Sequence, residues 1–367
     1  MHQKVKKLTH QSFKLKLEFK FSNWKTTCES INVLIEDKEY TVEFNDYDEK
    51  KTWIDGFLEI REKQLSEIQC EKKYAKWVEI PIADKIFPLM NHDSCFIGNK
   101  VLLFGGQNSS SSPVSTLVKY DIETNIWESF TTEITPRFGH TITSIDNTAY
   151  VVFGSSNKKP LSDICIYSND KWEKVKLDNQ YARFGHSCVE YNGCLYIYGG
   201  KSKNTIFSDL IVFNTKTREV KMHSNLPNNP PALFYHSSVV YGDKMIIIGG
   251  RDARNVYGDI YELDLKKLSW VKVHNLAITE RFSHRLVLLD KTIFVIGGMN
   301  NEKKVLDNVA ININDWSIID FSQFGNVPSG NTKFSLVKIG EYKALLHGGT
   351  DNFSKLPFGC MWVLNIE

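Results

Sequence analysis

Apolar residues in this chain fall into short runs with a repeated ending. The runs are VLLFGG (101–106), YVVFGS (150–155), LYIYGG (195–200), MIIIGG (245–250), IFVIGG (293–298) and ALLHGG (344–349). Each is a stretch of β-prone residues closed by a glycine signal, and successive copies lie 45 to 51 residues apart. About thirteen residues before the glycines stands a histidine in five copies: His92, His140, His186, His236 and His284. A polar loop of variable length follows the glycines. Then comes an alternating segment such as LVKYDI (117–122), LIVFNT (210–215) or IYELDL (260–265), and often a last strand with tryptophan at Trp127, Trp172 or Trp270. Alternation of this kind predicts half-buried strands. Four short strands per repeat predict one twisted antiparallel blade, and six repeats predict a mainly β, six-bladed propeller.

The pattern resembles the kelch-repeat family, whose period is near 50 residues, over about residues 76–367. The departures are local. The second copy carries Gly154-Ser155 in place of a glycine pair, the third has Val220 near the late tryptophan position, and the sixth lacks the early histidine. The last repeat stops at CMWVLNIE, its third strand. KYAKWVEIP (73–81) reads as the missing fourth strand, with Trp77 in the tryptophan position, so this segment is expected to close the ring. Closure removes two exposed sheet edges.

The expected division is a small α/β segment at 1–70 and the propeller at 71–367. In the first part, INVLIEDKEYTVEF (31–44) reads as two strands around a turn. Asp46 and Glu49 then form a capping-box pattern before YDEKKTWIDGFLEIREKQLSEI, whose apolar residues recur at helical spacing. Strands followed by such a helix resemble the C-terminal part of a pleckstrin-homology (PH) domain over about residues 13–68. The early strands and basic loop that hold inositol phosphates in lipid-binding members have no counterpart, so the resemblance implies a structural or adaptor element. Seven lysines against Glu18 in the first 25 residues leave contact with an anionic membrane surface as a weaker expectation.

Composition fits a folded chain: 42% hydrophobic and 24% charged, with net charge +2. That balance gives no reason for wholesale attraction to nucleic acid. Seven scattered cysteines without a CxxC pair fit reduced thiols and a cytoplasmic protein. No catalytic residues, metal site or cofactor are predicted. GGKS (199–202) lacks the earlier glycine of a phosphate-binding loop, Leu195 standing there. The repeated histidines belong to different blades, which suits a framework role better than the three or four converging ligands of a zinc ion. His347 has no evident partner in sequence. Asp163, Asp209 and Asp259, which open third strands, read as turn and cap groups.

Strand order puts the loops between second and third strands at the same end as the loops entering each blade. Those loops hold Arg137, Arg183, Arg251, Arg254, Arg281, Lys158, Lys201 and Lys203 beside Tyr235, Tyr257 and Phe353. Arginine among aromatic groups on loops suits a protein-binding surface, and the expected partner is an acidic or phosphorylated segment of another protein. Arg137, Arg183 and Arg281 recur at equivalent places, so a framework role in each blade is the competing reading for those three. The function expected is a non-catalytic scaffold or adaptor. The alternatives are a small-ligand or enzymatic propeller with a site at the channel mouth, and a membrane-recruited signalling protein.

Overall fold

The computed structural model describes residues 30–35, 38–43, 75–81, 88–273, 276, 278–304, 307–319, 328, 332–351, 356–357 and 359–366. The chain divides into two compact units, 1–73 and 74–367. In the first, strands Ser30–Ile35 and Lys38–Glu43 pair antiparallel with Ile35 opposite Lys38. The helix expected over 46–68 lies outside the described residues.

The second unit is a six-bladed propeller of four-stranded antiparallel sheets. Blade 1 comprises Asp93–Ile97, Lys100–Phe104, Thr116–Asp121 and Trp127–Thr131. Blades 2 to 5 begin at Thr141, Ser187, Ser237 and Arg285. First strands of consecutive blades pack on one another around the whole circle, so they form the hub and the fourth strands form the rim. Second strands are buried along nearly their full length, from Val101–Phe104 to Ala344–His347. A strand enclosed on both faces should be apolar at every position and not alternating, and that is why these runs stand out in the sequence.

Blade 6 takes its outer strand from the start of the unit. Its own strands are Ser335–Gly340, Lys343–His347 and Met361–Ile366. Ala75–Glu79 pairs with the last of them, Trp77 opposite Leu364. Trp77 is buried with Leu336, Leu346, Leu364 and Phe334 in the core between blades 5 and 6.

The glycines seat each blade against the next. A Cβ on Gly105 would lie 2.7 Å from the Arg137 carbonyl oxygen and 2.8 Å from Cε1 of His140, both leading into the neighbouring blade. In blade 2 the structure corrects the sequence alignment. The first glycine is the one lost: Phe153 takes its place with φ +53°, and Gly154 keeps the second. A non-glycine residue in that region is strained by about 1–3 kcal/mol. Its ring is fully buried against the His186 imidazole, centroids 5.4 Å apart.

The entrances to the six first strands are joined in a closed circle of backbone hydrogen bonds. Gly139 donates to Asn91, Gly185 to Gly139, Tyr235 to Gly185, Ser283 to Tyr235, Lys333 to Ser283 and Asn91 to Lys333, at 2.7 to 3.2 Å. All six residues have φ between +56° and +67°. This circle forms the rim of the channel mouth at the loop-bearing face.

Candidate functional site

Aligning the blade entrances on their histidines puts Arg137, Arg183, Leu233 and Arg281 three residues ahead of the ring, and Phe138, Phe184, Phe234 and Phe282 two ahead. The two positions behave differently. The arginines are buried, at 0% exposure for Arg137 and Arg183 and 2% for Arg281. This corrects their assignment to the partner-binding surface. Arg137 donates to both carboxylate oxygens of Asp163, at 2.9 and 3.0 Å, and to the Phe153 carbonyl. Arg183 does the same with Asp209 and the Gly199 carbonyl. Arg281 reaches the carbonyls of Gly297 and Asp307. The backbones of these arginines bond the preceding blade, Gly106 N–H donating to Arg137 O and Gly154 N–H to Arg183 O. Each arginine therefore rivets a seam.

The aspartates are correspondingly more than turn and cap groups. Burial works to raise the Asp163 pKa, but Arg137 and Lys174 outweigh it and hold the carboxyl below its usual range. In blade 4, where Leu233 replaces the arginine, Asp259 pairs with Lys272 instead, at 2.8 Å.

The phenylalanines underlie the loop face, half-buried at Phe138 and Phe184 and buried at Phe234 and Phe282, and cations lie against the last two. Lys201 is fixed by paired backbone bonds to Phe184, and its Nζ lies 5.1 Å from the ring centre of Phe234 in the next blade. Arg251 is fixed in the same way to Phe234. Its guanidinium carbon lies 5.7 Å from the Phe234 ring centre and 4.9 Å from that of Phe282, one blade further. The result is an alternating row, Lys201–Phe234–Arg251–Phe282, crossing blades 3 to 5. Tyr235 stacks beside it, 5.1 Å from Phe234 and 6.2 Å from Phe184. Val256 and Met299 complete the apolar floor under Phe282.

Stacking holds a cation in place without neutralising it. No carboxylate among the described residues pairs with Lys201, Arg251 or Arg254; the Arg251 side chain's own bond goes to the Asp252 carbonyl. The Asp252 carboxylate is engaged within its loop. Burial works to raise its pKa, but the N–H groups of Asn255 and Arg254 and the Tyr257 hydroxyl prevail and hold it at about 2. Tyr257 is thus a loop-bracing group, while Arg254 is exposed on the same turn.

Of the residues expected at a partner site, Lys201, Arg251 and Tyr235 come together, with Arg254 and Tyr257 on the adjoining loop. Lys203 and Lys158 are exposed on the loops of blades 3 and 2, and neither stacks in the row. Phe353 lies outside the described residues. Phe234 was missed, although the frame set by the histidines marks it as the equivalent of Phe184 and Phe282. His347, apparently without a partner in sequence, has one: its Nδ1 lies 3.0 Å from Nε2 of His92.

Comparison with known proteins gives two family signals on separate stretches of the chain. The family profile described as the KLHDC2/KLHL20/DRC7 Kelch-repeats domain matches residues 185–367, and the Kelch motif matches residues 88–132. Rho GTPase-activating protein gacHH of Dictyostelium discoideum is 27% identical over 95 residues, 24% of this chain and 6% of that protein. Adagio protein 3 of Arabidopsis thaliana is 26% identical over 137 residues, 33% of this chain and 22% of that protein. The chain thus spans a small part of the length of the curated relatives it matches.

Proposed function

Since the chain belongs to the kelch-repeat β-propeller family, whose propellers commonly mediate protein–protein interaction, we propose that it is a non-catalytic scaffold or adaptor. It binds an acidic or phosphorylated segment of another protein across the loop face of blades 3 to 5. The observation that carries this reading is the row Lys201–Phe234–Arg251–Phe282, in which two cations are immobilised on aromatic rings without a counter-charge among the described residues. Arginine held in this way can meet a carboxylate or phosphate with little further loss of side-chain freedom. Arg254, Lys203 and Lys158 extend the positive field around it.

The small-ligand alternative has less support. The cavity at the channel mouth is about 30 Å³, against roughly 300–1,000 Å³ for a ligand pocket. No helix among the described residues is long and apolar enough to cross a membrane. The five cysteines among the described residues are unpaired, which supports work in a reducing compartment such as the cytoplasm.

The test is selection from a randomised peptide library with and without phosphoserine, using the intact chain and a Lys201→Ala/Arg251→Ala/Arg254→Ala variant. Enrichment of Asp, Glu or phosphoserine by the parent, lost in a variant with an unchanged melting temperature, is the expected result. Enrichment of neutral or basic sequences, or the same enrichment by both chains, rules the reading out.

A further inference from the structure

The circle of blade entrances encloses a small cavity of about 30 Å³, lined among others by Asn91, Tyr235, Ser283, Arg285 and Lys333. Its lining carries two cations and no carboxylate. Arg285, the first residue of its strand, turns Nε to the Phe334 carbonyl at 3.1 Å and Nη2 to the His92 carbonyl and to Asp93 Oδ1, at 3.4 and 3.3 Å. Among the described residues Nη1 has no acceptor. Lys333 is half-buried on the same cavity, and no carboxylate among the described residues pairs with it. Burial alone acts on its amine, lowering its pKa. The Asn91 amide is engaged with Gln107 Oε1 at 2.7 Å. The histidines that also line the cavity are neutral, burial holding their pKa values well down, so they add no charge of either sign.

Arg285 already has one carboxylate partner in Asp93, but the partly desolvated Lys333 ammonium has none among the described residues and is costly unless an anion meets it beside Nη1. The volume suits a single functional group, not a whole ligand. We propose that the channel mouth receives one anionic group, a carboxylate or a phosphate carried by the docked partner, with Lys333 and Nη1 of Arg285 as its counter-charges. The identity of the carrier rests on the reading of this face as a docking surface for an acidic segment. The anion site shares Tyr235 with the edge of the Lys201–Arg251 row but uses neither of the row's cations.

The experiment needs no partner. The intact chain, with lysine carbons labelled for nuclear magnetic resonance, is titrated with inorganic phosphate and separately with acetate at constant ionic strength. The Lys333 resonance is identified by its loss in Lys333→Asn, a substitution suited to the backbone because Asn91 holds the equivalent left-handed position in blade 1. Lys333 should saturate at anion concentrations about tenfold or more below those that move the exposed Lys158 and Lys203, since two converging cations bind an oxyanion better than one solvated ammonium. Arg285→Gln should remove that advantage. A stronger response to phosphate points to a phosphorylated residue, and a stronger response to acetate to a carboxylate side chain. Titration of Lys333 together with the exposed lysines overturns the proposal, and so does a saturable response that Arg285→Gln leaves intact. If Arg285→Gln fails to fold, the comparison of Lys333 with Lys158 and Lys203 in the parent chain decides. Repeating the titration in the Lys201→Ala/Arg251→Ala/Arg254→Ala variant separates the two claims: a persisting Lys333 response upholds the mouth site even where peptide selection has rejected the docking reading.

Discussion

His92 and His347 meet across the seam where the ring closes, Nε2 to Nδ1 at 3.0 Å with ring planes at 81°. At two other seams the same position sets an aromatic ring against the next blade's histidine: Phe104 against His140 and Tyr198 against His236, both with centroids 5.7 Å apart. Only one of the two imidazoles can donate in a neutral pair, so the contact fixes complementary tautomers.

Replacing His347 by phenylalanine should therefore recreate the contact seen at those two seams. The expected cost is about 1–3 kcal/mol, because the fully buried His92 Nε2 loses its partner while the packing is kept. His347→Ala leaves a void at a fully buried site and should cost about 3 kcal/mol or more. Chemical denaturation of both variants checks the order; equal losses would show that the bond, not the packing, governs the seam.

Acid should destabilise the propeller well above the carboxylate range. His140 and His236 are held at about 3 and His347 at about 4, all by burial, and His92, His186 and His284 are also well below the ordinary value. An unfolded imidazole takes up its proton near pH 6.5, whereas the folded rings stay neutral until far lower. Between those limits the unfolded chain binds more protons, so stability falls as pH falls, by up to about 1.4 kcal/mol per pH unit for each ring. Asp93, raised by burial, works in the opposite direction as one group against six. Urea midpoints should drop steeply from pH 6.5 towards pH 4. A flat profile above pH 5 would sink this account.

The buried arginines yield a sharper test. Arg183→Ala strands Asp209, 8% exposed, without its bidentate partner, a change worth about 3–5 kcal/mol of lost stability. Arg183→Leu with Asp209→Asn should recover much of that loss, because blade 4 carries leucine at the equivalent position and still forms its seam. Melting temperatures of the single and double variants measure the recovery. Equal destabilisation in both would mean that the guanidinium contributes through the Gly199 carbonyl more than through the carboxylate.

The propeller was legible because its signals are local. A fully enclosed second strand is apolar at every position, and the glycines after it are required by backbone conformation and close contact. The roles of the arginines were harder to read. An arginine in an exposed type of loop looks like a contact residue until its acceptor is known, and each acceptor lies 26 residues downstream. That constant interval was present in the sequence but belongs to no familiar motif. The row through Phe234 was half legible: Lys201, Arg251 and Tyr235 could be named, but the ring that joins them is found only by aligning the blades on their histidines. His92 and His347 are 255 residues apart, and nothing short of the closed ring brings them together.

Trp77 offers the most direct test of closure. It sits opposite Leu364 at 5% exposure, covering a core built from blades 5 and 6. Trp77→Ala removes that cover but leaves the backbone pairing of Ala75–Glu79 with Met361–Ile366, and should cost about 3–5 kcal/mol. Deleting residues 75–79 goes further, since Met361–Ile366 then presents an unpaired edge alongside the exposed core. Exposed apolar edges recruit other strands, so the deletion should lower the melting temperature more than Trp77→Ala does and also produce concentration-dependent association. Light scattering and thermal melts at several protein concentrations distinguish the two effects. A deletion variant that stays monomeric and melts no lower than Trp77→Ala would show that five blades and a three-stranded sixth hold the ring without this strand.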